Sequence, residues 1–163
     1  MFNFQFDRRI IMIIIGILLL AAVMQFAANP GMLISLLISA PAVLIAITFH
    51  EFAHAFVADR LGDDTARREG RLNLNPFSHL DPIGTLMLLV AGFGWGKPVH
   101  VDPRNYTRKM SMEKCEAIVS AAGPIMNILL AFIFALVYCA VYKFGSMQFL
   151  SSNVGTVIML ILG

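Results

Sequence analysis

Residues 32–54 read MLISLLISAPAVLIAITFHEFAH. The 18 residues from Met32 to Phe49 carry no charge, and the run continues directly into His50-Glu51-Phe52-Ala53-His54. A helix rises 1.5 Å per residue, so about 20 apolar residues cross the ~30 Å hydrocarbon core of a bilayer. The stretch therefore predicts a membrane-crossing helix with three ionisable groups near one end. The rest of the chain has the same character. Of its 163 residues, 58% are hydrophobic and 13% charged, with a mean hydropathy of +0.78. Soluble domains carry about 25% charged residues, so a soluble globule, a disordered chain and a nucleic-acid binder are excluded. Twelve Lys and Arg against 10 Asp and Glu leave a net charge of +2. No charge lies between Arg9 and Glu51, between Glu116 and Lys143, or after Lys143.

Working outward, Ile10 to Ala28 is a second apolar run, interrupted only by Gly16 and Gln25 and followed by the turn signal Asn29-Pro30-Gly31. Arg8-Arg9 before it imitate a signal peptide, but Phe26 stands where cleavage wants a small residue, so a retained anchor is expected. Ala117 to Tyr142 is long enough to span with some tilt, and Phe144 to Gly163 is still apolar where the sequence stops. That ending predicts a piece of a longer protein. Pro82 to Gly96 is uncharged but only 15 residues long. Its glycines (84, 92, 94 and 96) predict a re-entrant, irregular or β-hairpin-like segment that packs against the helices.

The expected fold is an all-α membrane protein, a polytopic helical bundle of three full spans plus a truncated fourth. A single transmembrane domain covers 1–163, with spans at about 10–28, 32–60, 117–142 and 147–163 and a re-entrant segment at 82–98. Basic residues follow the cytoplasmic side. Arg8 and Arg9, then Arg60, Arg67, Arg68 and Arg71, then Lys97, Arg104, Arg108, Lys109 and Lys114 place the N-terminus and the histidine end of the second span in the cytoplasm of a plasma-membrane protein.

His50-Glu51-Phe52-Ala53-His54 matches H-E-x-x-H. Residues four apart share a helix face, so both imidazoles can hold one metal ion while Glu51 reaches a metal-bound water. Zinc suits two neutral imidazoles plus a further protein ligand and an open site. Ionisable groups within a membrane helix are costly and by default functional. Gly123-Pro124-Ile125-Met126-Asn127 falls in the third apolar run; there Asn127 either bonds across to another helix or donates to a substrate carbonyl or oxyanion. His79 and Asp81, in Asn75-Pro76-Phe77-Ser78-His79-Leu80-Asp81-Pro82, are weaker alternatives for a third ligand, in a stretch better read as a rigid surface turn. His100 reads as a solvated loop histidine, and Cys115 and Cys139 as inert thiols. A metal-transport protein would share the histidines but needs no general base.

These residues resemble the site-2 protease family of intramembrane zinc metalloproteases, in its compact prokaryotic branch. The resemblance runs along His50 to Asp63, Gly70-Arg71-Leu72-Asn73-Leu74-Asn75-Pro76, His79-Leu80-Asp81-Pro82-Ile83-Gly84, Gly94-Trp95-Gly96-Lys97-Pro98-Val99 and Gly123-Pro124 with Asn127, covering roughly residues 40 to 130. It implies one Zn²⁺ per chain on His50 and His54, Glu51 as catalytic base, and hydrolysis of peptide bonds in transmembrane protein substrates within the lipid bilayer. The family's third ligand is an aspartate of a Leu-Asp-Gly motif on the following helix. No Leu-Asp-Gly occurs in these 163 residues, so the resemblance places that ligand outside this chain and leaves a catalytically inactive relative as an alternative. No nucleic-acid partner is expected, and no oligomeric state is assigned.

Overall fold

The computed structural model describes residues 8–91, 93–107 and 110–162, without the side chains of Arg8, Ile11 and Leu89. Gly92, Arg108, Lys109 and Gly163, invoked above, lie outside the described residues. The elements in chain order are α1 (Arg8–Ala28), α2 (Pro30–Leu61), α3 (Thr65–Arg68), α4 (Pro76–His79), α5 (Pro82–Ala91), a 3₁₀ turn (Pro103–Asn105), α6 (Met112–Phe144), α7 (Met147–Leu150) and α8 (Asn153–Leu162). No strand occurs among the described residues.

Among the described residues, two helices are long and apolar enough to cross a membrane, α2 with 32 residues and α6 with 33, each about 48–50 Å long. Only 6% and 0% of their most apolar windows are buried by the chain. A core helix of a soluble protein would be mostly covered, so these surfaces suit lipid. Each carries an internal proline, Pro41 and Pro124, which membrane helices tolerate.

Around this pair, α1 packs on α5 and α2, and α8 packs on α2 and α6. The apolar run from Met147 is broken at Ser151-Ser152 into α7 and α8 rather than forming one helix. The Ser152 side chain accepts from Gly155 N–H at 3.0 Å and so starts a new helix there.

The segment from Pro82 differs from its expectation. Its first ten residues form helix α5, not a strand. Asp81 supplies the start: its side chain accepts Gly84 N–H at 2.7 Å, its carbonyl accepts Thr85 N–H at 2.8 Å, and Pro82 takes the first helical position. Leu86, Met87, Leu88 and Ala91 then favour a helix, and Gly94 and Gly96 lie beyond it. Extended pairing is confined to one isolated bridge, Leu80 with Gly96, beside Lys97 N–H donating to His79 O at 2.8 Å.

The end of α2 is fixed by Gly62 at φ 115, a left-handed cap that closes Asp63 N–H onto Ala58 O at 3.0 Å. A Cβ there would stand 2.8 Å from Thr107 N, so glycine is demanded by space as well as by φ. The next residue, Asp63, is fully buried. Its Oδ1 accepts from Thr65 N (3.1 Å), Thr65 Oγ1 (2.5 Å) and Asn105 Nδ2 (3.0 Å), and its Oδ2 from Asp102 N (2.7 Å). One carboxylate thus ties the end of α2 to the loop that leads into α6.

Burial pushes the Asp63 carboxyl up, and the hydrogen bonds from Thr65, Asn105 and the Asp102 backbone outweigh it, holding it below the usual carboxylate range. A lowered folded-state value stabilises the protein above the ordinary carboxylate pKa of about 4, and that stabilisation is lost as pH falls below it. Asp63→Ala is expected to cost about 2–4 kcal/mol, because it strands several buried donors. Thermal unfolding in detergent checks this: the wild-type melting temperature should fall more steeply below about pH 4 than that of Asp63→Asn.

Candidate metal centre

The pairing of α2 with α6 builds the site. On α6, Cys115, Val119, Gly123 and Asn127 recur every four residues and so form one stripe; the first three are buried. On α2, Ala58 and Leu61 pack on Cys115 and Val119, with Val57, Val101 and Tyr106 around them. The two helices run antiparallel, so the stripe continues from this apolar cluster up to the histidines.

His54 Nδ1–H donates to the Val119 carbonyl at 2.7 Å. A carbonyl can only accept, so Nδ1 carries the proton, and in the neutral ring Nε2 presents a lone pair. Pro124 supplies no N–H to the carbonyl of Ser120, so that one carbonyl of α6 is released from the helix ladder. His50 Nδ1 lies 3.1 Å from Asn127 Nδ2, and the two Nε2 atoms are 3.1 Å apart, with the rings edge to face. Glu51 Oε2 accepts Val99 N–H at 3.0 Å. Beside Glu51 and His54 opens a cavity of about 570 Å³, walled by Pro98, Val99 and Val101 on the loop side and by Glu116, Val119 and Ser120 on α6.

Two features test whether these residues suit a zinc ion. Nitrogens bound to one tetrahedral zinc at ~2.0–2.1 Å lie about 3.3–3.4 Å apart, close to the spacing of the two Nε2 atoms. A Cβ built on Gly123 would come within 2.6 Å of His50 Nε2 and closer still to His54 Nε2. The space that both nitrogens face is therefore kept open by a missing side chain. Asn127 Oδ1 is also buried without a partner. With His50 bound through Nε2, its Nδ1 carries a proton, and a turned Asn127 amide would accept it. The two histidines fit the metal. Among the described residues no third His, Cys, Asp or Glu joins them.

The other candidates fall elsewhere. His79 is fully buried with Nε2 on Asn73 O at 2.9 Å, and Asp81 starts α5, so both are engaged in the surface turn. Asn127 faces His50 and is absent from the lining of the cavity beside Glu51. His100 is exposed and pairs with Glu69 at 3.0 Å. Both cysteines are free. Sequence reading did not anticipate the Val99 N–H, the Val119 carbonyl, or Arg71, whose Nη2 donates to Lys97 O at 2.7 Å. Backbone groups leave no mark in a sequence, and Arg71 is legible there as one of the basic residues after α2 and as a member of Gly70-Arg71-Leu72-Asn73-Leu74-Asn75-Pro76, not as a partner of the 97–98 backbone.

An H-E-x-x-H pair on a lipid-suited helix thus faces a glycine gap in the neighbouring helix. Curated proteins similar to this chain carry zinc-metalloprotease names. The chain is 46% identical over 103 residues to the Bacillus subtilis protein named "Putative zinc metalloprotease YwhC", a match covering 63% of this chain and 46% of that protein. It is 36% identical over 94 residues to "Putative zinc metalloprotease Rip2" of Mycolicibacterium smegmatis and 37% identical to that of Mycobacterium tuberculosis, covering 54% of this chain and 34% of each. These homologues are site-2 protease family members. The chain spans about half the length of YwhC and a third of Rip2. No protein-family model and no solved structure matches it.

Gly123→Ala tests the glycine gap. The added methyl should lower zinc affinity about 10–100-fold, the scale of losses around metal ligands, with helix content unchanged. Competition against a chromophoric chelator measures it, and wild-type affinity would remove Gly123 from the site.

Proposed function

We propose that this chain carries the metal-binding and base-bearing part of an intramembrane zinc metalloprotease that hydrolyses peptide bonds in or near the transmembrane segments of membrane proteins. The observation that carries the reading is the pair of Nε2 atoms 3.1 Å apart, facing the Gly123 gap, with Glu51 one residue on and open to the cavity. One zinc would be held by His50 and His54, with a third protein ligand contributed outside residues 1–163. When bound, it would supply a Lewis acid and an acidified water.

The chain's own groups do the rest. Val99 N–H anchors Glu51 through Oε2, which leaves Oε1 free to take a proton from the attacking water and pass it to the leaving amine. Val119 and Asn127 hold the two rings in orientation. This favours Asn127 as a support of His50 over a donor to the substrate oxyanion. The cavity admits water from the Arg60 end of α2, next to the segment with Arg67, Arg68 and Arg71, a concentration of basic residues that favours the cytoplasmic side. In this reading α1 and α8 complete the plasma-membrane bundle beside α2 and α6, and 82–98 enters the bilayer without crossing it. A substrate helix hides its carbonyls in internal hydrogen bonds, so it must unwind before cleavage. The extended stretch around Gly96, already paired once with Leu80, is suited to receive it by strand addition.

Glu51→Gln separates catalysis from metal transit. In the full-length protein, co-expressed with a transmembrane reporter, it should lower cleavage about 10²–10⁴-fold while zinc content stays at the wild-type level. His50→Ala and His54→Ala should lose the zinc as well. Undiminished cleavage by Glu51→Gln would remove Glu51 from the mechanism.

A further inference from the structure

We propose that Arg71 is a positioning residue for Glu51, acting through the Lys97-Pro98-Val99 backbone. The inference rests on the reading of Glu51 as the base. Arg71 is only 8% exposed, and among the described residues no carboxylate pairs with it. Its Nη2 donates to Lys97 O at 2.7 Å and reaches Pro98 O at 3.4 Å, while its Nε is buried without a partner. A buried guanidinium with no counter-ion is costly, and an apolar side chain would serve packing better. What the charge achieves is local to one strip of backbone.

Lys97 N–H is held by His79 O at 2.8 Å, and the Lys97 carbonyl by Arg71, so the backbone of this residue is held on both of its peptide units. Pro98 then ends any ladder, because it has no N–H to give. The next donor along the chain, Val99 N–H, is the one that Glu51 accepts. Pro98 O and Val99 N–H belong to a single peptide unit. A cation at its carbonyl end polarises the unit and strengthens the N–H as a donor to the carboxylate. Without Arg71 the strip is fixed only upstream of the proline, and Val99 N–H loses its aim.

The chain contains Pro-Val once, at 98–99. Labelling with carbonyl-¹³C proline and ¹⁵N valine therefore isolates one amide resonance in the detergent-solubilised protein. In the wild type it should lie downfield and exchange slowly with solvent. Glu51→Ala should move it upfield. Arg71→Met should move it the same way, shift the Pro98 carbonyl, and speed exchange of Val99 N–H at least about tenfold, while the amides of α2 and α6 keep their protection. Arg71→Lys, which can still donate to Lys97 O, should restore most of the wild-type behaviour. The proposal is overturned if Arg71→Met leaves the resonance and its exchange unchanged. It is equally overturned if both substitutions strip protection from α2 and α6 alike, since Arg71 would then be holding the fold as a whole. This readout needs neither metal nor cleavage. A responsive Val99 amide together with fully active Glu51→Gln protein would sustain the Arg71 contact and defeat the reading of Glu51 as the base.

Discussion

Three ionisable side chains about two to three turns from the end of a lipid-suited helix have to be satisfied by protein, because hydrocarbon offers them nothing. The structure answers with one partner for each. His54 takes a carbonyl of α6, His50 takes the Asn127 amide, and Glu51 takes a backbone N–H from the loop before α6. Each partner depends on the register of α6 against α2. Val119, Gly123 and Asn127 reach their targets only because the stripe they share begins on the packed cluster around Ala58 and Cys115. A one-residue rotation of α6 would replace the missing side chain at 123 with that of Ala122 or Pro124, and the two imidazoles would lose the gap they face.

That dependence explains the concentration of polar anchors just past α2. Two long apolar helices in lipid gain little from hydrophobic burial against each other, since lipid is as apolar as their side chains. Registration must come from directional contacts. Asp63 provides them outside the apolar span, where four donors converge on one carboxylate. It joins the last turn of α2 to residues 102–105, from which the chain enters α6. Burial makes the join strong, because none of those donors can trade its partner for water without opening the loop.

The legibility of the fold follows the same division. Both long helices could be read from the sequence, because 18 or more uncharged residues admit few alternatives. His50, Glu51 and His54 could be read too, since their spacing alone puts two rings on one face. The segment at 82–91 was misjudged by counting glycines over the whole stretch, although Asp81-Pro82 is a helix start and three of the four glycines follow Ala91. The break at Ser151-Ser152 was hidden by an unbroken apolar composition. Val99, Val119 and Gly123 act through backbone or through absence of a side chain, and their roles exist only once α6 and the loop are docked on α2.

The site also shows why its parts are drawn from separate segments. Adjacent residues on α2 give His50 and Glu51 nearby but divergent directions, since each step along a helix turns by about 100°. One face therefore meets α6, and the next meets the loop at 96–101. A single neighbouring helix could not hold both the rings and the carboxylate, whereas two independent segments can fix each at its own angle. The cavity lies at the seam between them, bounded by Val99 from the loop and Val119 from the helix. Water reaching that seam meets the carboxylate and His54 together, while the rest of α2 stays apolar. Polar chemistry is confined to the place where three parts of the chain meet, and the helix that bears it can remain in lipid along most of its length.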